Sequence, residues 1–279
     1  DKGKLEVLLK VEPCYVPNKC VKTILPIVNE ALDKKMCKPC YDCIITKENN
    51  ESVCSLTLVE EQKFRVSTYA VTASKDGSTE CGDSHSFLSL PNGTYLLALS
   101  DGMGSGKNAK IESTATIELL EEFLQAGFSK DLAISMINSV LFLKSSKDSF
   151  ATLDMCTIDL YTGFCELLKI GAVSTLILHN NKVDIVKSNS LPIGILNNIE
   201  PEIRKKKLAD GDIIVMFTDG VLDSTKQIID KENWIIDILL KNTSTNPEEI
   251  ANTIFEKTKE NYKNNIKDDI TILVARIWC

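Results

Sequence analysis

The sequence predicts an α+β fold, a four-layer α-β-β-α sandwich of two antiparallel sheets with helices outside, and three observations carry that expectation. Two hairpin patterns, "LDMCTIDLYTGFCELLKIG" and "STLILHNNKVDIVKS", lie side by side in mid-chain, and adjacent hairpins pair antiparallel. Two helix-period stretches precede them, and one more separates the buried runs "GDIIVMFTDG" and "DDITILVARIW". This order lacks the strand-helix-strand repeat of a dinucleotide fold, and two sheets flanked by helices bury both kinds of apolar face.

The elements follow in order. "KLEVLLKVEP" reads as a strand ending at Pro13, and "TILPIVNEAL" sets Ile24, Val28 and Leu32 on one helical face. "SVCSLTLVE" and "FRVSTYAVTA" read as strands divided by a polar turn. A single helix among strands buries little alone, so residues 1–72 are expected to form an upstream regulatory or linker segment packing on a main domain at 73–279. "TYLLALS" is a buried strand. A helix at about 109–125 follows, with Ile111, Ala115, Leu119 and Phe123 spaced by four, and Gly127 stops it. Ser129 caps a second helix, at about 130–143, whose stripe is Ala133, Met136, Ile137, Val140 and Leu141. The hairpins turn at Thr162-Gly163 and Asn180-Asn181, and "NPEEIANTIFEKTKENY" is a helix.

Composition excludes several classes. With 43% hydrophobic and 25% charged residues, the 279-residue chain is neither disordered nor fibrous. Lys and Arg total 32 against 39 Asp and Glu, a net charge of −7, which argues against a nucleic-acid surface and so against a metal-dependent nuclease. The one dense basic run, Arg204 to Lys207, reads as a solvated strand edge or loop. No stretch approaches the ~18 to 20 apolar residues a bilayer crossing needs, so this piece is expected to be soluble and without membrane contact. It begins at Asp1 with neither Met nor a signal-like segment, and is expected to be a fragment.

Of the ten cysteines, Cys37, Cys40 and Cys43 are spaced by three in "CKPCYDC". Zinc, a redox-sensitive cluster and ordinary loop thiols are the alternatives, and the last is favoured because no second knuckle accompanies them. Neither His85 nor His179 adds a ligand set; His85, two residues after Asp83, lies close enough in sequence to be near a site there.

The acids fall where chemistry is expected. Asp101 follows "LLALS", Asp219 follows "IIVMFT", Asp268 and Asp269 precede "ITILVARI", and Asp83 stands just before "FLSL". Strand ends are rigid, and carboxylates held there converge as a hard divalent cation requires. Gly102 and Gly220 allow a backbone carbonyl to turn toward the same site. Two cations would offset the mutual repulsion of the acids, and the chemistry expected is hydrolysis with metal-bound water or hydroxide as nucleophile, no side chain serving that role. The plainer alternative is that Asp and Gly only punctuate turns.

"CGDSHSF" at 81–87, "SDGMGSG" at 100–106, "FTDG" at 217–220 and "KDDIT" at 267–271 together resemble the metal-dependent serine/threonine phosphatases of the protein phosphatase 2C type. "ATLDMCTIDL" at 151–160 and "SNSLPIGIL" at 188–196 are similar to a sporulation branch of that family. The resemblance runs from about Cys81 to the end. It implies that Asp101 bridges two Mn²⁺ or Mg²⁺ ions with the Gly102 carbonyl as a further ligand, that Asp219 and Asp268 (or Asp269, also acidic) bind one of them, and that Asp83 contacts the cluster. Gly220, Met103, Gly104 and His85 would lie near. Met103 stands where many relatives carry a proton-donating His, and no early arginine motif for phosphate is present.

The resemblance further implies a phosphoserine anti-anti-sigma factor as substrate, whose dephosphorylation activates the first forespore sigma factor. It implies a homodimer, and a parent protein on the cytoplasmic face of the membrane at the division septum. The two helices carrying Ile111, Ala115, Leu119, Phe123, Met136, Ile137 and Val140 resemble switch elements joining dimerisation to metal binding, with plain core packing as the alternative. The rival reading is a catalytically weak or inactive regulatory module of the same fold that acts by partner binding.

Overall fold

The computed structural model describes residues 5–14, 18–39, 44–48, 51–104, 106–144, 150–188, 190–196, 201–225 and 229–279. The chain divides into two compact units, Asp1–Gln62 and Lys63–Cys279.

In the first unit β1 (Glu6–Val11), α1 (Lys19–Leu32), β2 (Met36–Cys37), β3 (Ile44–Glu48) and β4 (Glu51–Glu60) make a sheet in which β4 pairs with the other three strands. Alternation in β4 turns Leu56 and Leu58 to one face, where Ile24 and Val28 of α1 pack on them; Leu32 falls off that face and is exposed. Cys37 is half-buried in β2, while Cys40 and Cys43 lie outside the described residues.

The second unit holds β5 (Arg65–Ala73), β6 (Asp83–Ser89), β7 (Thr94–Asp101), α2 (Lys107–Gln125), α3 (Lys130–Lys144), β8 (Leu153–Asp159), β9 (Phe164–Ile170), β10 (Thr175–His179), β11 (Lys182–Val186), β12 (Glu202–Lys207), β13 (Ile213–Phe217), α4 (Asp219–Asp223), α5 (Asn233–Lys241), α6 (Pro247–Asn261) and β14 (Ile270–Trp278). One sheet runs β11-β10-β13-β14-β5 and the other β12-β9-β8-β7-β6, all antiparallel. The core between them is built from both, with Leu97, Leu99, Ile158 and Leu167 meeting Ile177, Ile214, Met216 and Leu273. α2 and α3 cover the outer face of the second sheet, and α5 and α6 that of the first, completing the expected four layers.

Three expectations shift. β5, assigned from sequence to the upstream segment, pairs along all nine of its residues with β14, so the break between compact units falls at Gln62/Lys63. On α2 the buried face is Ala109, Ser113, Thr116, Ile117, Leu120 and Leu124, while Ile111 is 46% exposed and Ala115, Leu119 and Phe123 are half-buried. A spacing of four drifts about 40° per step around a helix, and the apolar reading passed over the small hydroxyls that face β6. On α3, Ala133, Ile134, Ile137 and Leu141 are buried, whereas Met136 and Val140 are exposed. The basic run forms β12, an edge strand, as the solvated-edge reading expected.

Candidate active site

The acids sit at the ends of elements from both sheets. Asp83 opens β6 and Asp101 closes β7, and the antiparallel register sets them directly opposite each other. Asp219 begins α4 immediately after β13, and Asp268 and Asp269 lead into β14 beside it.

Hydrogen bonds divide the labour among them. Thr218 Oγ1 donates to Asp83 Oδ2 (2.9 Å) and accepts from Thr271 N (2.9 Å), tying the ends of β6, β13 and β14 together. Asp269 is buried, with Oδ1 accepting from Lys75 N (2.8 Å) and Oδ2 from Gly82 N (2.6 Å). Asp268, half-exposed, accepts from Asp269 N (3.0 Å). The backbone of Asp101 is held twice by Thr152, whose hydroxyl accepts from Asp101 N (2.9 Å) and whose N–H donates to Asp101 O (2.8 Å).

The glycines are required by close packing. A Cβ on Gly102 would lie 1.9 Å from the carbonyl oxygen of Ala109 in the first turn of α2, and one on Gly220 would lie 2.1 Å from the carbonyl oxygen of Asp269. The Gly220 carbonyl, expected to turn into the site, instead accepts from the Tyr262 hydroxyl (2.8 Å). Met103 is half-exposed beyond Gly102, followed by Gly104 at φ +94°. His85 is exposed on the face of β6 that carries Asp83, its ring 5.7 Å from Phe87.

The electrostatics follow from this crowding. Burial, then the charges of Asp83, Asp219 and Asp268, push Asp101 up to about 9. Burial followed by the Asp268 charge brings Asp219 up to about 6, and burial raises Asp83 and Asp268 as well. Asp83 Oδ1 is buried with no hydrogen-bond partner among the described residues. Among those residues no three His, Cys, Asp or Glu side chains are drawn as close as a cation's own ligands. Adjacent buried carboxylates repel until protons or cations neutralise them.

The positions of the acids at strand ends were legible in sequence; the threonines that orient them were not. Both sit within stretches singled out above; a hydroxyl abutting an acid at a strand end is the signal that marks Thr218, beside Asp219, while Thr152 abuts no acid and meets Asp101 only in the fold.

α2 closes one side of the site. Lys110 Nζ donates to the Asp83 carbonyl (2.7 Å), Ser113 Oγ donates to the Gly82 carbonyl (2.5 Å), and Ala109 fills the space that Gly102 and Gly82 leave open.

The family model described as stage II sporulation protein E matches residues 91–278. The stage II sporulation protein E of Priestia megaterium is 31% identical over 275 residues, covering 99% of this chain and 46% of that protein. The protein of the same description from Bacillus subtilis (strain 168) is 36% identical over 216 residues, 77% of this chain and 26% of that protein. The chain therefore spans less than half the length of these curated relatives. The structure of the PP2C phosphatase domain and a fragment of the regulatory domain of the cell fate determinant SpoIIE from Bacillus subtilis superposes with a TM-score of 0.81 at 30% identity, covering 100% of this chain and 79% of that one. RsbX in complex with magnesium matches at 19% identity and a TM-score of 0.60, over 85% of this chain and 100% of that one, a likeness of fold alone. The second unit has the PP2C-type phosphatase fold.

Proposed function

The chain belongs to the stage II sporulation protein E family, and on that premise we propose that it is a metal-dependent protein serine phosphatase acting in sporulation. The observation that carries this reading is the Asp83, Asp101, Asp219 and Asp268 cluster, whose proton affinities are raised by burial and then by neighbouring carboxylate charges, and which so calls for positive charge between its members. Hard oxygen donors at the ends of rigid strands fit Mn²⁺ or Mg²⁺. Asp101 and the Gly102 carbonyl would hold two such ions, with Asp219 and Asp268 as further ligands of one of them and Asp83 at the cluster. When bound, they supply Lewis-acid polarisation of a phosphoryl group and a nucleophile at neutral pH.

The chain's own residues do the rest. Thr218 and Thr152 orient Asp83 and Asp101. Asp269 fastens Lys75 and Gly82, which fixes the approach to β6 and leaves Asp268 as the acid available to a cation. Met103 has no proton to give, so the leaving serine oxygen takes its proton from water or another group. The grip of α2 on Gly82, Asp83 and Gly102 supports the reading of α2 and α3 as switch elements, with homodimerisation as the input.

The proposed substrate is a phosphoserine anti-anti-sigma factor, its dephosphorylation activating the first forespore sigma factor, with the longer parent protein at the cytoplasmic face of the septal membrane. Among the described residues no helix is long and apolar enough to cross a membrane.

The test is phosphate release from the phosphoserine anti-anti-sigma factor across a Mn²⁺ titration, for the native chain and Asp219→Asn. The expected result is Mn²⁺-dependent turnover that collapses in the variant. Absence of turnover in both at millimolar Mn²⁺ would favour the inactive binding module instead.

A further inference from the structure

Between the two sheets, at the end where the acids stand, lies a small, partly open cavity of about 30 Å³ lined in part by Asp101, Thr152, Asp154, Thr218 and Asp219. Asp154 on β8 and Lys169 on β9 are directly paired in register and both are 1% exposed. Asp154 Oδ2 accepts from Lys169 Nζ (2.5 Å) and from the hydroxyl of Thr175 (2.7 Å), which belongs to the opposite sheet, so the ion pair joins the two sheets at the end where the acids stand.

The other oxygen, Asp154 Oδ1, is buried without a hydrogen-bond partner among the described residues, and Asp154 is part of the cavity wall. A buried carboxylate oxygen left without a donor is costly, and a water-sized cavity whose wall carries several acceptors and hydroxyls suits a bound water. Lys169 neutralises Asp154, so that oxygen accepts hydrogen bonds without adding net charge beside an already acidic cluster.

We infer that Asp154 is a positioning residue for a divalent cation at Asp101 and Asp219: through Oδ1 it holds a water of the cation's hydration shell inside the inter-sheet cavity, and Lys169, bonded to Oδ2, fixes the carboxylate in place. The inference rests on the proposed cation site and names a residue behind it. Outer carboxylates of this kind orient what the first ligands bind, and their loss weakens metal binding about 10- to 100-fold.

The experiment measures Mn²⁺ binding, by the loss of the free-ion electron paramagnetic resonance signal, for the native chain and two double variants. Asp154→Leu with Lys169→Met removes both buried charges together, which folded proteins tolerate far better than removal of one. Asp154→Asn with Lys169→Met keeps an acceptor oxygen and serves as the conservative variant. Thermal unfolding without metal is recorded for all three. The expected result is Mn²⁺ binding about 10- to 100-fold weaker in the Leu/Met variant, partly recovered in the Asn/Met variant, with cooperative unfolding retained. Native Mn²⁺ affinity in a folded Leu/Met variant would overturn the inference while leaving the cation site standing; were the Leu/Met protein not to fold, Asp154→Ala with Lys169→Met, which likewise removes the acceptor oxygen, takes its place, and native affinity in it would overturn the inference in the same way. A native chain that binds no Mn²⁺ at millimolar concentration would overturn the cation site, and this inference with it.

Discussion

A carboxylate whose two oxygens are both taken by backbone N–H groups has little left to offer a cation, and Asp269 is so placed while its neighbour Asp268 is not. Substitution should separate the two. Asp269→Asn is expected to cost about 1–3 kcal/mol in urea unfolding, because one backbone donor loses its charged acceptor. Asp268→Asn should leave the urea midpoint close to native and lose most Mn²⁺-dependent phosphate release. Gly220 has a packing duty: Gly220→Ala would drive a methyl group against the Asp269 carbonyl, and a loss of about 1–3 kcal/mol is expected in the same unfolding measurement. Sequence identified all three positions, but it could not tell a cation ligand from a structural brace, since that depends on which backbone groups arrive from elsewhere in the chain.

Among elements, the hairpins were legible because period-two alternation is written locally and their turns carry their own chemistry, with Asn180 and Asn181 at φ 46° and 60° in the two-residue loop. α2 and α3 were legible in extent but not in facing, and α5 was not read from sequence. α2 buries Ser113 and Thr116 along with Leu120, because its inner face meets the hydroxyl-bearing end of β6, where Ser84 Oγ lies 2.9 Å from Ser113 Oγ. Leu120→Ala is therefore expected to destabilise the chain by about 2–5 kcal/mol, while Ile111→Ala should stay within about 0.5 kcal/mol. Thermal unfolding of the pair checks this, and equal losses would restore the face expected from sequence.

For the whole molecule, the crowding of buried acids makes stability depend on pH and on cations. Asp101, up to about 9, and Asp219, up to about 6, retain protons in the folded chain that the unfolded chain releases near the ordinary carboxylate value of 3.8. The folded state thus binds more protons between about pH 4 and about pH 9, and stability of the metal-free protein is expected to fall as pH rises through that window. Mn²⁺ should raise the thermal midpoint more at pH 9 than at pH 6, since at pH 6 it must displace protons from Asp101. A second prediction concerns the unit boundary. A chain beginning at Lys63 keeps β5 and should unfold cooperatively, whereas one beginning at Ser74 exposes the edge of β14 and should be markedly less stable in calorimetry. Sequence by itself determined the α+β class, the mid-chain hairpins, the helices α1, α2, α3 and α6, and the stationing of acids at strand ends, because all of these are encoded in local periodicity and turn chemistry, whereas β2, β3, α4 and α5 were not read from it. Only the tertiary structure decided which acid is free, which face of α2 is buried, to which unit β5 belongs, and that Asp154 lies beside the cluster. Those outcomes depend on partners such as Thr218 for Asp83, 135 residues apart, and Asp269 for Gly82, 187 residues apart, which no local pattern brings together.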